Sequence, residues 1–170
     1  MNRLVILSID TSTETGSVGL SIDGQTMAQR TSSDQRDHAA WVQVAIQELF
    51  NETGKDMREV RAVAVTSGPG SYTGLRVGMA TAKGICYALN VPLITENTLK
   101  VMAFGAIRQE GANAGGALFC PMIDARRMEV FAAVYDGRLQ ERVKPGAYVL
   151  DEAAFGELLN RETVIFFGSG

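Results

Sequence analysis

The aliphatic run Ala62-Val63-Ala64-Val65 passes through Thr66-Ser67 into Gly68-Pro69-Gly70, and from Tyr72 to Leu89 only Arg76 and Lys83 carry charge. A short apolar run closed by Gly and Pro reads as a buried strand ending in a tight loop. The low-charge segment after it reads as a helix. Strand, loop and helix in that order are the building unit of an α/β protein. A loop at the carboxyl end of such a strand aims backbone N–H groups outward and can hold an anion; Gly-Pro-Gly serves equally as a plain turn. Within the helix Gly74, Gly78 and Ala82 recur every fourth residue and share one face. Each glycine costs a helix interior about 1 kcal/mol against alanine, a cost tolerated where another backbone must come close. That face therefore reads as close packing on the chain's own sheet. Tyr72, Arg76, Met79, Lys83, Cys86 and Tyr87 form a second stripe at ~100° per residue. Its mix of aromatic, thioether and basic groups suits a partner surface; the alternative is an ordinary solvated face.

With 170 residues, 46% of them hydrophobic and 21% charged, the chain can build one large domain or two small ones. No apolar run approaches the ~20 residues of a membrane-spanning helix. The start, Met1-Asn2-Arg3 before Leu4–Ile9, is too short and too soon polar for a secretory signal. Cys86 and Cys120 both lie in apolar segments and read as reduced core thiols of a cytosolic protein. A net charge of −3 gives no autonomous grip on nucleic acid. If nucleic acid is involved, another subunit carries the basic surface.

The pattern along the chain predicts a strand at Leu4–Asp10, a turn at Thr11–Thr15, and a hairpin of Gly16–Ile22 with Gln25–Thr31 closed by Asp23-Gly24. Ser33 or Asp34 is a plausible helix cap, and His38–Phe50 is helical. Apolar Trp41, Val42, Ala45, Ile46 and Leu49, with Ala39 and Phe50, cover about half its wheel, wider than the ~100° stripe that one buried face requires. Strand Ala62–Ser67 and helix Tyr72–Leu89 follow, then strand Val91–Glu96 and helix Asn97–Glu110. Gly111–Gly116 reads as a flexible joint between lobes at 1–110 and 117–170. Beyond it the pattern repeats: a strand ending in aspartate (Leu118–Asp124), a hairpin of Met128–Tyr135 with Leu139–Tyr148 closed by Asp136-Gly137, a capped helix at Asp151–Asn160, and strand Thr163–Phe167 running into Gly168-Ser169-Gly170. Such repetition reads as an internal duplication. The second copy stops at its glycine loop, so its second half is expected to be truncated.

Two such halves resemble the actin–Hsp70–sugar-kinase architecture, a duplicated ribonuclease-H-like α/β fold. In that architecture an aspartate ending the first strand of each half faces nucleotide phosphates. The resemblance places Asp10 and Asp124 at those positions, with Thr11, Ser12, Gly68 and Gly70 completing a degenerate phosphate site beside Asp10. A sharper resemblance rests on Ile9-Asp10-Thr11-Ser12-Thr13, on the run Thr66 to Gly78 with its Ser-Gly-Pro-Gly-x-x-Thr-Gly-Leu-Arg-x-Gly pattern, and on Ala82-Lys83-Gly84 leading to Val91-Pro92-Leu93-Ile94. These residues resemble the TsaB (YeaZ) family, paralogues of TsaD. The match runs from Leu4 to at least Leu99 and more loosely to the end. The resemblance implies a part in making N6-threonylcarbamoyladenosine in tRNA, in partnership with TsaD and the ATPase TsaE, and a homodimer in isolation. It implies contact with tRNA only through the complex, a cytoplasmic location and no membrane association.

The TsaD paralogue carries a His-x-Glu-Gly-His motif after the strand equivalent to Val91–Ile94, and its two histidines hold the catalytic metal. Thr98-Leu99-Lys100-Val101-Met102 stands there in this chain, and neither Thr98 nor Met102 replaces imidazole for a divalent metal. The one histidine, His38, sits where a capping or surface role is common. The expectation is therefore a non-catalytic scaffold with no catalytic residues, no metal and no tightly bound cofactor, with ATP or ADP held weakly at most in the complex. Its partner surface is expected on His38, Trp41, Val42, Ala45 and Leu49 of one helix and Tyr72, Arg76, Met79, Lys83 and Cys86 of the other. A phosphotransferase using Asp10 and Asp124, of the sugar- or acetate-kinase type, is the alternative; no separate general base presents itself. A peptidase lacks both a metal set and a motif joining Ser67 or Ser71 to a base.

Overall fold

A computed structural model describes residues 3–33, 38–111, 116–151 and 154–170. Asp34 and the interior of the expected joint, residues 112–115, lie outside the described residues. Two compact units emerge, Met1–Glu96 and Asn97–Gly170.

In the first unit β1 (Val5–Asp10), β2 (Gly16–Ile22) and β3 (Gln25–Ser32) form an antiparallel meander. Asp23 and Gly24 both have positive φ at the β2–β3 turn, 51° and 81°, as a two-residue hairpin requires. Helix α1 (His38–Thr53) follows. A short turn of 3-10 helix, Met57–Glu59, is capped by Asp56 and delivers the chain to β4 (Val60–Thr66). Helix α2 (Tyr72–Leu89) begins at the Ser71 cap, whose hydroxyl accepts from the Gly74 N–H, and ends at Asn90 in the left-handed conformation. Strand β5 (Leu93–Glu96) closes the sheet. Strand order is β3-β2-β1-β4-β5, with β4 parallel to β1 and β5 parallel to β4, each reached by a crossover connection that contains a helix. Alternation puts Val5, Leu7 and Ile9 of β1 into the core with Val18, Leu20, Val63 and Val65 of the neighbouring strands.

The wide apolar arc of α1 has an internal explanation. The helix packs on β2, β3 and α2 together, so Val42, Ala45, Ile46, Leu49 and Phe50 are all consumed by this unit's own core.

The second unit opens with helix α3 (Thr98–Glu110), then β6 (Leu118–Arg126), β7 (Glu129–Tyr135), β8 (Glu141–Val149), a single turn α4 (Gly156–Leu159) and β9 (Val164–Gly168). Strand order is β8-β7-β6-β9, with β9 parallel to β6. The meander with a parallel strand beside its first member thus occurs twice, the repeat of the actin-like, ribonuclease-H-like α/β class expected from sequence. The boundary differs from the sequence reading. Helix α3 places Leu99 and Ala103 against Ile123, Ala133 and Tyr135 of the second sheet, so the second unit starts at Asn97 rather than at 117. The opposite face of that sheet, Leu118, Cys120, Met122 and Val134, is covered by Tyr148, Phe155 and Leu158.

The two glycine loops are not equivalent in register. Ile9 pairs with Val65, which brings Asp10 level with Thr66 and leaves Gly68 beyond it. Met122 pairs with Gly168, so that glycine comes before the level of Asp124. Among the described residues no helix is long and apolar enough to cross a membrane.

Candidate functional site

The end of β1 is a hydrogen-bonded hub. Asp10 Oδ1 accepts from the Ser12 N–H at 2.9 Å, the Ser12 hydroxyl at 2.6 Å and the Thr66 hydroxyl at 2.9 Å. The Thr11 hydroxyl donates to the Gly74 carbonyl at 2.7 Å, and the Ser71 N–H donates to the Ser12 carbonyl at 2.7 Å. Thr11 and Ser12 are both only 1% exposed. A Cβ at Gly74 would stand 1.9 Å from the Thr11 carbonyl oxygen, one at Gly70 2.1 Å from the Ser12 carbonyl oxygen, and one at Gly78 2.4 Å from Thr11 Oγ1. The small-residue face of α2 therefore does not close on the sheet alone, as the spacing suggested. It closes on the Thr11–Ser12 turn: the turn's backbone occupies the Cβ positions of Gly70 and Gly74, and the Thr11 side chain that of Gly78.

This geometry bears on the expected phosphate site. The structure does bring Asp10, Thr11, Ser12 and Gly70 together. It turns the Thr11 and Ser12 hydroxyls inward, where both already donate, and Ser12 fills the space against Gly70. No hydroxyl of that pair is left to bind a phosphate. Thr66, the third donor to Asp10, was not legible as a member of the site; only its place at the carboxyl end of β4 hinted at it. In the second unit Asp124 is exposed, and its Oδ1 accepts from the Arg126 N–H at 2.7 Å.

The expected partner surface divides. On α1, His38, Val42, Ala45 and Leu49 are at most 2% exposed and cannot meet a partner; Trp41 is half-buried against the same core. His38 is neither a cap nor a surface group. Its ring lies 6.2 Å from the Trp41 ring, and neither nitrogen has a hydrogen-bond partner among the described residues. The outward face of α1 is instead Ala40, Gln43, Val44 and Gln47. Those positions follow i, i+3, i+4, i+7 spacing, a signal that the wider apolar arc concealed. On α2, Cys86 is buried and Met79 half-buried, whereas Tyr72, Arg76, Ala80, Lys83 and Tyr87 are exposed. The two helices are tied at the surface by a hydrogen bond from Gln43 Nε2 to Thr81 Oγ1, 3.0 Å.

Thr98 is buried, its hydroxyl without a hydrogen-bond partner among the described residues, and Met102 packs beside the α3 core. Among the described residues no cluster of three His, Cys, Asp or Glu side chains could hold a metal. Burial raises the thiol pKa of both cysteines, that of Cys120 to about 12. Both stay protonated near neutrality, in keeping with core thiols.

Residues 25–156 match the family model described as TsaD, tRNA N6-adenosine threonylcarbamoyltransferase. The chain is 38% identical over 76% of its length to the tRNA threonylcarbamoyladenosine biosynthesis protein TsaB of Escherichia coli, and 29% identical over 86% to that of Bacillus subtilis. It spans 54% and 62% of the lengths of those relatives. Among solved structures, YeaZ from Pseudomonas aeruginosa superposes with a TM-score of 0.72 at 30% identity, covering 86% of this chain and 67% of that one. A protein with similarity to peptidase YeaZ from Pseudomonas aeruginosa gives 0.74 at 26% identity, covering 98% and 85%. The signature run from Thr66 to Gly78, the repeated meander and these matches agree: the chain belongs to the TsaB (YeaZ) family, within the wider group described by the TsaD model.

Proposed function

We propose that this protein is a non-catalytic subunit of the machinery that makes N6-threonylcarbamoyladenosine in tRNA, and that it docks on TsaD through the outer face of α1 and α2. One observation carries the docking surface. Between Ala40 and Gln47 the exposed side chains of that face are uncharged, and on α2 Ala80, Thr81 and Gly84 keep it low. The acids further along α1, Glu48 and Glu52, are engaged by Arg30 of β3. Small side chains let a second pair of helices approach closely, and an exposed Val44, 54% accessible, supplies an apolar knob at its centre.

Support for a non-catalytic role comes from Thr98 and Met102 at the positions where TsaD carries histidines, and from the occupied donors around Asp10. The latter also weighs against the phosphotransferase reading. In this reading TsaE joins the complex in the cytoplasm, a homodimer uses the same face when TsaD is absent, and tRNA is met through TsaD.

The test is capture of TsaD from the same organism by the wild-type chain and by Val44→Glu. Burying an unpaired carboxylate at a contact centre costs several kcal/mol, so the variant should lose TsaD and migrate as a monomer while its melting temperature stays unchanged. Capture equal to wild type would place the interface elsewhere.

A further inference from the structure

A groove of 440 Å³ runs along α2 from the carboxyl end of β4, lined by Thr66 and Ser67 at one end and by Tyr72, Leu75, Arg76, Met79, Ala80 and Lys83 along its length. Its floor is apolar, from the half-buried Leu75 and Met79. Among the described residues that line it, both charged groups are cations and none is an acid. Arg76 is held in place: its guanidinium lies over the Tyr72 ring at 5.3 Å, and Nη1 donates to the Tyr72 hydroxyl at 3.2 Å. Neither Arg76 nor Lys83 has an ion-pair partner among the described residues. Ala80 also borders a second depression, shared with Gln43, Thr81, Gly84 and Ile85 between α1 and α2. The groove is therefore continuous with the small-residue saddle assigned above to docking.

We propose that this groove receives an acidic side chain, flanked by an apolar one, from the helix that docks on the α1–α2 face; the inference rests on that docking reading. The apolar neighbour fills the space over Leu75 and Met79. The carboxylate is fixed between Arg76, pre-oriented by Tyr72, and Lys83. Two uncompensated cations on an otherwise uncharged face also select between partners. A partner helix with an acid at this place gains two charge-assisted contacts, whereas one presenting a cation there meets repulsion. The groove thus supplies the specificity that the small-residue saddle lacks, since small side chains alone accept many helices.

The experiment titrates purified TsaD into the wild-type chain, Arg76→Gln/Lys83→Gln and Val44→Glu, at about 0.1 M and about 1 M salt, where screening lengths are about 10 Å and about 3 Å. Wild-type affinity should fall with salt. The double variant should bind about tenfold more weakly at low salt, the size expected of two partly exposed pairs, and should lose most of its salt dependence. Both substitutions are at the surface, so melting temperatures should match. A double variant with wild-type affinity and wild-type salt dependence, alongside loss of binding by Val44→Glu, overturns the groove inference and leaves the docking face standing. Wild-type binding by Val44→Glu overturns the docking reading itself.

Discussion

Replacing Gly74 by alanine tests whether α2 is clamped by the Thr11–Ser12 turn. In a free helix the change stabilises by about 1 kcal/mol. Here the new Cβ would sit 1.9 Å from the Thr11 carbonyl oxygen, well inside contact distance. The obstacle is backbone, so no side-chain rotation relieves it; either the turn or the helix must shift. A shift strains the Thr11–Gly74 and Ser71–Ser12 hydrogen bonds, both 2.7 Å. Losing the two costs about 1 kcal/mol each, and overpacking adds 1–3 kcal/mol, roughly 2 at the midpoint. After the helix gain is set against these, the net loss is about 3 kcal/mol. For a unit of this size that lowers the melting temperature by more than about 10 °C. Two further sites on the same helix grade the effect. At Gly78 the Cβ meets the Thr11 hydroxyl at 2.4 Å; a side chain can yield, at the expense of its bond to Gly74, so the loss should be smaller. At Gly84 nothing lies within 4 Å, and alanine should raise stability by up to about 1 kcal/mol. Thermal and denaturant unfolding of the three variants decide the matter. Gly74→Ala as stable as wild type, or Gly84→Ala less stable than Gly78→Ala, would refute the clamp.

Two further outcomes follow from the same contacts. Asp10→Ala removes the acceptor of three donors and should cost about 3 kcal/mol, whereas Asp124→Ala removes the acceptor of the Arg126 N–H on an exposed residue and should cost under about 1 kcal/mol; equal losses by denaturant unfolding would remove Asp10 from its structural role. Cys120, fully buried and with its pKa pushed up to about 12, should resist a thiol-alkylating reagent at pH near 8 in the native chain and react once denaturant is added, so stoichiometric native labelling of Cys120 by mass spectrometry would contradict its placement.

The elements were legible in the sequence because local rules govern them. Asp23-Gly24 fixed the first hairpin, Gly68-Pro69-Gly70 marked the loop before α2, and the aliphatic run Ala62–Val65 marked β4. Which face of a helix meets which neighbour was less legible, for a physical reason. The half-wheel of apolar residues on α1 signals burial but not its cause. It fits a partner as well as it fits two strands plus a second helix, and here the second holds. The boundary failed likewise: Gly111–Gly116 is the most flexible composition in the chain, yet Leu99 and Ala103 commit α3 to the second sheet through contacts with Ile123 and Tyr135 that no local pattern announces. The hub at Asp10 was half visible. Asp10, Thr11 and Ser12 stood together in sequence, but their donors and acceptors at Thr66, Ser71 and Gly74 are more than fifty residues away.

These two results meet in α2. Gly74, Gly78, Ala82 and Cys86 form its buried line. At about 100° per residue, Tyr72, Arg76, Ala80, Lys83 and Tyr87 then fall roughly 160–240° away from Gly74, and all five are exposed. Turning the helix by one residue in either direction would bring a side chain against the Thr11 carbonyl where only glycine fits. The Thr11–Ser12 turn therefore fixes the rotation of α2 and, with it, which side chains the surface presents. A loop and glycine pattern resembling a phosphate cradle acts here as a rotational lock. Arg76 and Lys83 face outward because Gly74 and Gly78 cannot, and a partner docking on α2 reads a surface set by a turn on the opposite side of the helix.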